Sequence, residues 1–102
     1  HVVSEMEIIK LAKLNVEAGK LAFSRAAYES SSQYFQHARE LLPNKDRWNT
    51  HYDLMLELTN ASARVELYRG HFERCEKFVK TVKEHGKNLQ DKVVAYQVWV
   101  DS

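Results

Sequence analysis

Apolar residues recur along this chain in steps of three and four. Ile8, Leu11, Asn15, Ala18 and Ala22 mark the first such face. That spacing is one side of an α-helix, predicted over about 4–23. Ser4, followed three residues later by Glu7, is a capping-box pattern at its start. Gly19 lies inside it and costs about 1 kcal/mol against Ala, so its presence predicts a close helix–helix approach. Tyr28, Ser31, Phe35, Ala38 and Leu42 mark a second helix over about 26–42, stopped by Pro43 and Asn44. A third is predicted over about 46–68, with Asp46 as N-cap. Trp48, Tyr52, Met55 and Leu56 form one face of it, and Leu54, Leu58, Ala61, Val65 and Tyr68 another, which predicts a helix buried between neighbours. Gly70 ends it through positive φ. Phe72, Cys75, Val79 and Val82 mark a fourth helix over about 71–85, terminated by Gly86. Asn88 caps a fifth over about 88–102, with Leu89, Val93, Tyr96 and Val100 on one side. The reading is all-α: two antiparallel hairpins plus one unpaired helix.

Composition agrees. Three Gly and one Pro are too few for an all-β chain, and 102 residues make one domain. The net charge is +1 with Lys and Arg dispersed, so no basic stripe is offered to nucleic acid. No apolar stretch approaches the roughly 20 residues of a membrane span, and no secretory h-region opens the chain. Cys75 is the single cysteine, which forbids an internal disulfide and fits a reducing, cytoplasmic setting. The first residue is not Met and the chain closes on Val98-Trp99-Val100. The expectation is a segment of a longer array, with neighbours covering apolar surface at both ends.

The two halves repeat with an offset of 44 residues. Asn15 matches Thr59, Ala18 matches Ser62 and Gly19 matches Ala63. Ala26 matches Gly70, Tyr28 matches Phe72, Ser31 matches Cys75, Phe35 matches Val79 and Ala38 matches Val82. Small residues at these places let helices approach, and the rings fill the space between hairpins. The spacing Gly19, Tyr28, Phe35, Ala38, Pro43 resembles the tetratricopeptide repeat, with Ala26 for the usual turn Gly and Ser31 for the usual Ala. The resemblance implies an α-α superhelix, with repeat one at about 4–43, repeat two at about 46–86 and an extra helix at about 88–102. The period exceeds the 34 residues of that repeat and also suits a HEAT-like stack, so it does not choose between superhelical twists.

A narrower resemblance spans nearly the whole chain. Glu17-Ala18-Gly19-Lys20, Ala26-Ala27-Tyr28, Leu41-Leu42-Pro43, Trp48 with Tyr52-Asp53-Leu54, Glu66, Gly70 with Phe72-Glu73, and Leu89 with Asp91-Lys92-Val93 occur in that order. The series resembles the helical-repeat region of very large multidomain signalling kinases. In that family the region follows an AAA/STAND-type ATPase module. A serine/threonine-kinase-like domain often precedes the ATPase, and GAF and histidine-kinase domains often follow. The resemblance implies an intracellular sensor or relay segment that carries none of those catalytic modules itself.

No phosphate-cradling G-x-x-x-x-G-K-[ST], G-x-G-x-x-G or H-E-x-x-H occurs. His37, His51, His71 and His85 stand 14 or more residues apart, as solvated or turn positions rather than metal ligands. Cys75, four residues after His71, falls where the repeat takes a small buried residue, and core packing outweighs nucleophilic use. The sequon Asn60-Ala61-Ser62 falls mid-helix. Ser31 is expected to pack, with Ser30 and Ser32 in solvent, and Trp48 and Tyr52 are expected in the core. The expectation is therefore no catalytic residue, no cofactor and no metal.

In a tetratricopeptide-like stack the first helix of each hairpin lines the concave face. Lys13, Val16, Lys20 and Phe23, and then Glu57, Asn60, Arg64 and Leu67, are the outward positions expected there. Lys13, Lys20, Asn60 and Arg64 form a candidate groove for a carboxylate-bearing peptide. Val16 and Glu17 break the Lys/Asn pattern of chaperone-binding clamps. The leading expectation is a non-catalytic interaction and coupling scaffold with protein partners, inside a large ATPase-linked signalling kinase. The alternatives are a free-standing peptide-binding adaptor and a small helical ligand-sensing domain. Tyr96, Trp99 and Val100 on the last helix offer a surface for a homodimer.

Overall fold

The computed structural model describes residues 4–101. Six α-helices follow one another: α1 (Glu5–Ser24), α2 (Tyr28–Leu41), α3 (Arg47–Thr50), α4 (Tyr52–Tyr68), α5 (Phe72–His85) and α6 (Leu89–Asp101). The described residues hold no strand. The expected end of the last helix at Ser102 lies outside the described residues.

The chain starts where its capping signal places it. Glu7 N–H donates to Ser4 Oγ at 3.2 Å, and Ser4 N–H donates to Glu7 Oε1 at 3.4 Å. A cap of this kind stabilises a helix by about 1 kcal/mol. Tight turns then fold α2 back on α1 and α5 back on α4. Ala26 at φ 59 and Gly70 at φ 80 make these turns, at matching positions of the repeat. Gly86 also ends its helix, but through space rather than dihedral freedom. Its φ is −58, and a Cβ there would lie 2.7 Å from Lys92 Cγ.

The expected third helix is interrupted. Asp46 takes φ 63 and its side chain caps no backbone N–H. Its carboxylate accepts from Asn49 Nδ2 at 2.6 Å, and its carbonyl accepts from Thr50 Oγ1 at 3.0 Å. Such local bonds compete with helix continuation, and the chain breaks at His51 (φ −131, ψ 47) before α4 begins.

Two apolar clusters result. Ala12, Val16, Phe35, Ala38, Leu42, Leu54, Met55, Leu58 and Val65 form the first, between α1, α2 and α4. Ala63, Cys75, Val79, Val82, Ala95 and Val98 form the second, between α4, α5 and α6. Helix α4 contributes to both, as its nearly all-round apolar pattern predicts. Gly19 is the close approach between α1 and α2; a Cβ there would meet three atoms of the Phe35 ring at under 3.0 Å.

Several faces differ from the sequence expectation. On α1 the buried stripe is Ala12, Val16 and Gly19, one residue round from the expected one, and Leu11 is 51% exposed. Small side chains, not the largest apolar ones, meet α2. Val16, expected on the outer face, is core. On α6 the buried residues are Ala95 and Val98, while Leu89, Val93, Tyr96 and Val100 are exposed. The same preference for a small contact residue explains this: Ala95 lets α6 settle against α4 and α5. Phe72, expected to fill space between hairpins as Tyr28 does, is 60% exposed. Tyr28 instead has Phe23 and Tyr68 at centroid distances of 5.3 Å each. Phe72 instead borders an open cleft with Glu73, Glu76 and Trp99. Trp48 and Tyr52 are half-buried, with Trp48 stacked on His85 at 4.6 Å.

Candidate functional site

Lys20 on α1 and Glu57, Asn60 and Arg64 on α4 follow one another around a cleft of about 410 Å³. Phe23, Phe35, Ala61 and Val94 supply its apolar floor and wall. Three of the four candidate residues thus come together. Lys13 does not: it lines a separate cleft of about 370 Å³ with Asn49, His51 and Lys87. Seven residues separate Lys13 from Lys20, nearly two helical turns, or about 10 Å along the axis.

The three gathered side chains are unequal. Lys20 Nζ is 2.9 Å from Glu57 Oε2 and 3.5 Å from Glu17 Oε1. The hydrogen bond and charge of Glu57 raise its pKa, so Lys20 stays an ammonium whose charge Glu57 balances. Asn60 Oδ1 is buried and has no hydrogen-bond partner among the described residues. Arg64 is exposed and also borders a second cleft with Phe23, Tyr68, Gln97 and Asp101. The groove therefore has an ion-paired end at Lys20–Glu57, the unpaired Asn60 Oδ1 in the middle and, at the far end, Arg64, which forms no ion pair among the described residues.

A second polar constellation was not visible in the periodicity. Glu66 on α4 is 1% exposed. Its Oε2 accepts from Ser32 Oγ at 2.6 Å and its Oε1 from Arg69 Nη1 at 2.9 Å. His71 Nδ1 lies 3.1 Å and Arg74 Nε 3.6 Å from the same Oε1. Ser32, expected in solvent, is buried because it supplies this bond. Burial alone would push the carboxyl pKa up; Ser32, Arg69, Arg74 and His71 outweigh it and hold the group below its ordinary value. The available signal was position: Glu66 stands four residues after Ser62 and three after Ala63, inside the small-residue stripe. A carboxylate there needs partners, and Arg69 and His71 follow within five residues.

Among the described residues no group of three or more His, Cys, Asp or Glu is placed to hold a metal. Burial, aided by Glu66 and Glu76, pushes the Cys75 thiol pKa up, away from the reactive thiolate. No helix of the described residues is long and apolar enough to cross a membrane. The surface thus carries an apolar-floored groove with a polar rim, and a guanidinium-rich joint.

No protein-family model matches the chain, and no solved structure matches it. A "Hybrid signal transduction histidine kinase G" of Dictyostelium discoideum is 28% identical over 89 residues, covering 79% of this chain. The chain spans about 3% of the length of that relative. The chain is thus a small all-α module with partial similarity to a hybrid histidine-kinase signalling protein.

Proposed function

We propose that this chain is a non-catalytic scaffold that couples neighbouring modules of a large signalling kinase through protein–protein contacts. The similarity to a short stretch of a hybrid signal transduction histidine kinase carries this reading. In it the hairpins α1–α2 and α4–α5 are tetratricopeptide-like units, covering about 4–43 and 46–86, and α6 begins a third. Rigid-body contacts between such helices relay the state of an adjacent module, such as an ATPase. Parallel faces built from small residues support this, since they fix helices as units.

A second reading, a peptide-binding adaptor, is favoured by one observation. The groove combines an unpartnered Asn60 Oδ1 with the exposed Arg64 beside an apolar floor. One experiment separates the two. The chain, co-expressed with the flanking segments of its parent polypeptide, is expected to retain them on an affinity column, and Arg64→Glu is expected to retain them equally. Loss of retention in Arg64→Glu alone transfers the docking role to the groove. No retention by either protein sinks the coupling role.

A further inference from the structure

Glu66 is one carboxylate among more guanidinium groups than it can neutralise. Arg69, Arg74 and His71 face its Oε1 directly. Arg39 stands one helical turn away on both neighbouring elements. Its Nη1 donates to Ser62 Oγ at 2.6 Å, four residues before Glu66 on α4. Its Cζ lies 4.7 Å above the ring of Phe78, four residues after Arg74 on α5. Residues four apart on a helix are neighbours at roughly 5–6 Å. Three guanidinium groups therefore gather around a single buried acid, leaving two positive charges uncompensated. Glu40 and Arg47 also act on Arg39, with opposite signs, and so leave that balance unchanged.

Most donors of this cluster are unspent. A guanidinium carries five N–H groups. Arg39 spends Nη1 on Ser62, and Arg69 spends Nη1 on Glu66 and Ser32. Arg74 Nε at 3.6 Å from Glu66 is beyond hydrogen-bond distance. His71 and Arg74 have side chains 44% and 49% exposed, so the rim opens to solvent while Glu66 lies beneath it. The crowding is felt by Arg39, whose guanidinium loses basicity first to burial and then to Arg74.

We infer that the rim formed by Arg39, Arg69, His71 and Arg74 binds a phosphate monoester. Planar guanidinium forks match phosphoryl oxygens two at a time. A monoester carries close to two negative charges at neutral pH, which equals the surplus, whereas a carboxylate carries one. Glu66 holds Arg69 in place from below, Arg39 flanks it, and Arg74 and His71 meet the oxygens from the open side. The site stands independently of the scaffold reading.

The test follows arginine Nε–Hε resonances of the full chain while inorganic phosphate replaces chloride at constant ionic strength. The Arg39, Arg69 and Arg74 signals are expected to shift together and saturate. Arg74→Ala is expected to weaken binding about fivefold or more with an unchanged circular dichroism spectrum. The exposed Arg25→Ala is expected to leave it unaltered. A glycine-flanked phosphoserine peptide that binds more tightly than inorganic phosphate identifies a phosphorylated protein as the source; equal binding identifies a small phosphate. A non-saturating drift shared with Arg25 and Arg64 overturns the site. Equally tight binding by the unphosphorylated peptide does the same.

Discussion

Two single residues set the terms of this molecule's stability. The Gly19 backbone lies under the Phe35 ring, and Ser31 Oγ donates to its carbonyl at 2.7 Å. Gly19→Ala gains about 1 kcal/mol of helix propensity but drives a methyl group into a ring that is 1% exposed and packed in the first apolar cluster. Overpacking costs about 1–3 kcal/mol, so a net loss is expected, read as a lowered urea midpoint. A raised midpoint would place Phe35 in a looser core than described. Glu66 gives a pH signature. Its carboxyl pKa is depressed in the folded protein, so its contribution is complete above the unfolded carboxyl pKa of about 4.3. That contribution disappears as pH falls through the lower folded value. Glu66→Gln is expected to cost about 3 kcal/mol at pH 7. It is also expected to flatten the fall in stability below pH 4.5 in denaturant titrations. An unchanged acid limb in the variant would show that other carboxyls cause the fall.

At the scale of elements, the turns show what the sequence could and could not reveal. Ala26 and Gly70 occupy equivalent repeat positions, and both have positive φ. Ala26 therefore holds a conformation that an L-residue adopts at a cost of about 1 kcal/mol, and Ala26→Gly is expected to stabilise by roughly 0.5–1 kcal/mol. Thermal unfolding checks this; a lowered midpoint would mean the turn gains nothing from relief. Repeat matching made that position legible, just as capping chemistry made Ser4 and Asn88 legible; Asp91 N–H donates to Asn88 Oδ1 at 2.8 Å. Faces were less legible on α1 and α6. Periodicity ranks large apolar side chains as buried, but these helices meet their partners through Ala12, Gly19 and Ala95, whose value lies in what they leave out. The break at His51 depended on side chain–backbone bonds around Asp46, which no spacing rule reports. Of the groove residues, the concave-face positions of a tetratricopeptide-like stack grouped Lys13 with Lys20, but nearly two turns of helix separate them.

The described residues span 45 × 31 × 19 Å. Phe72 on α5 and Tyr96 and Val100 on α6 leave apolar surface exposed. At high concentration that apolar face is expected to pair, so light scattering should give a mass that rises with concentration. Tyr96→Lys combined with Val100→Lys should restore a constant monomer mass. A wild-type mass that never rises would rule out self-contact through this face. A last consequence concerns α4. Because this one rod is the shared wall of both apolar clusters, neither half can melt without stripping the other. Heating should therefore dissolve the protein in a single cooperative step, with the amides of α4 the slowest to exchange with solvent.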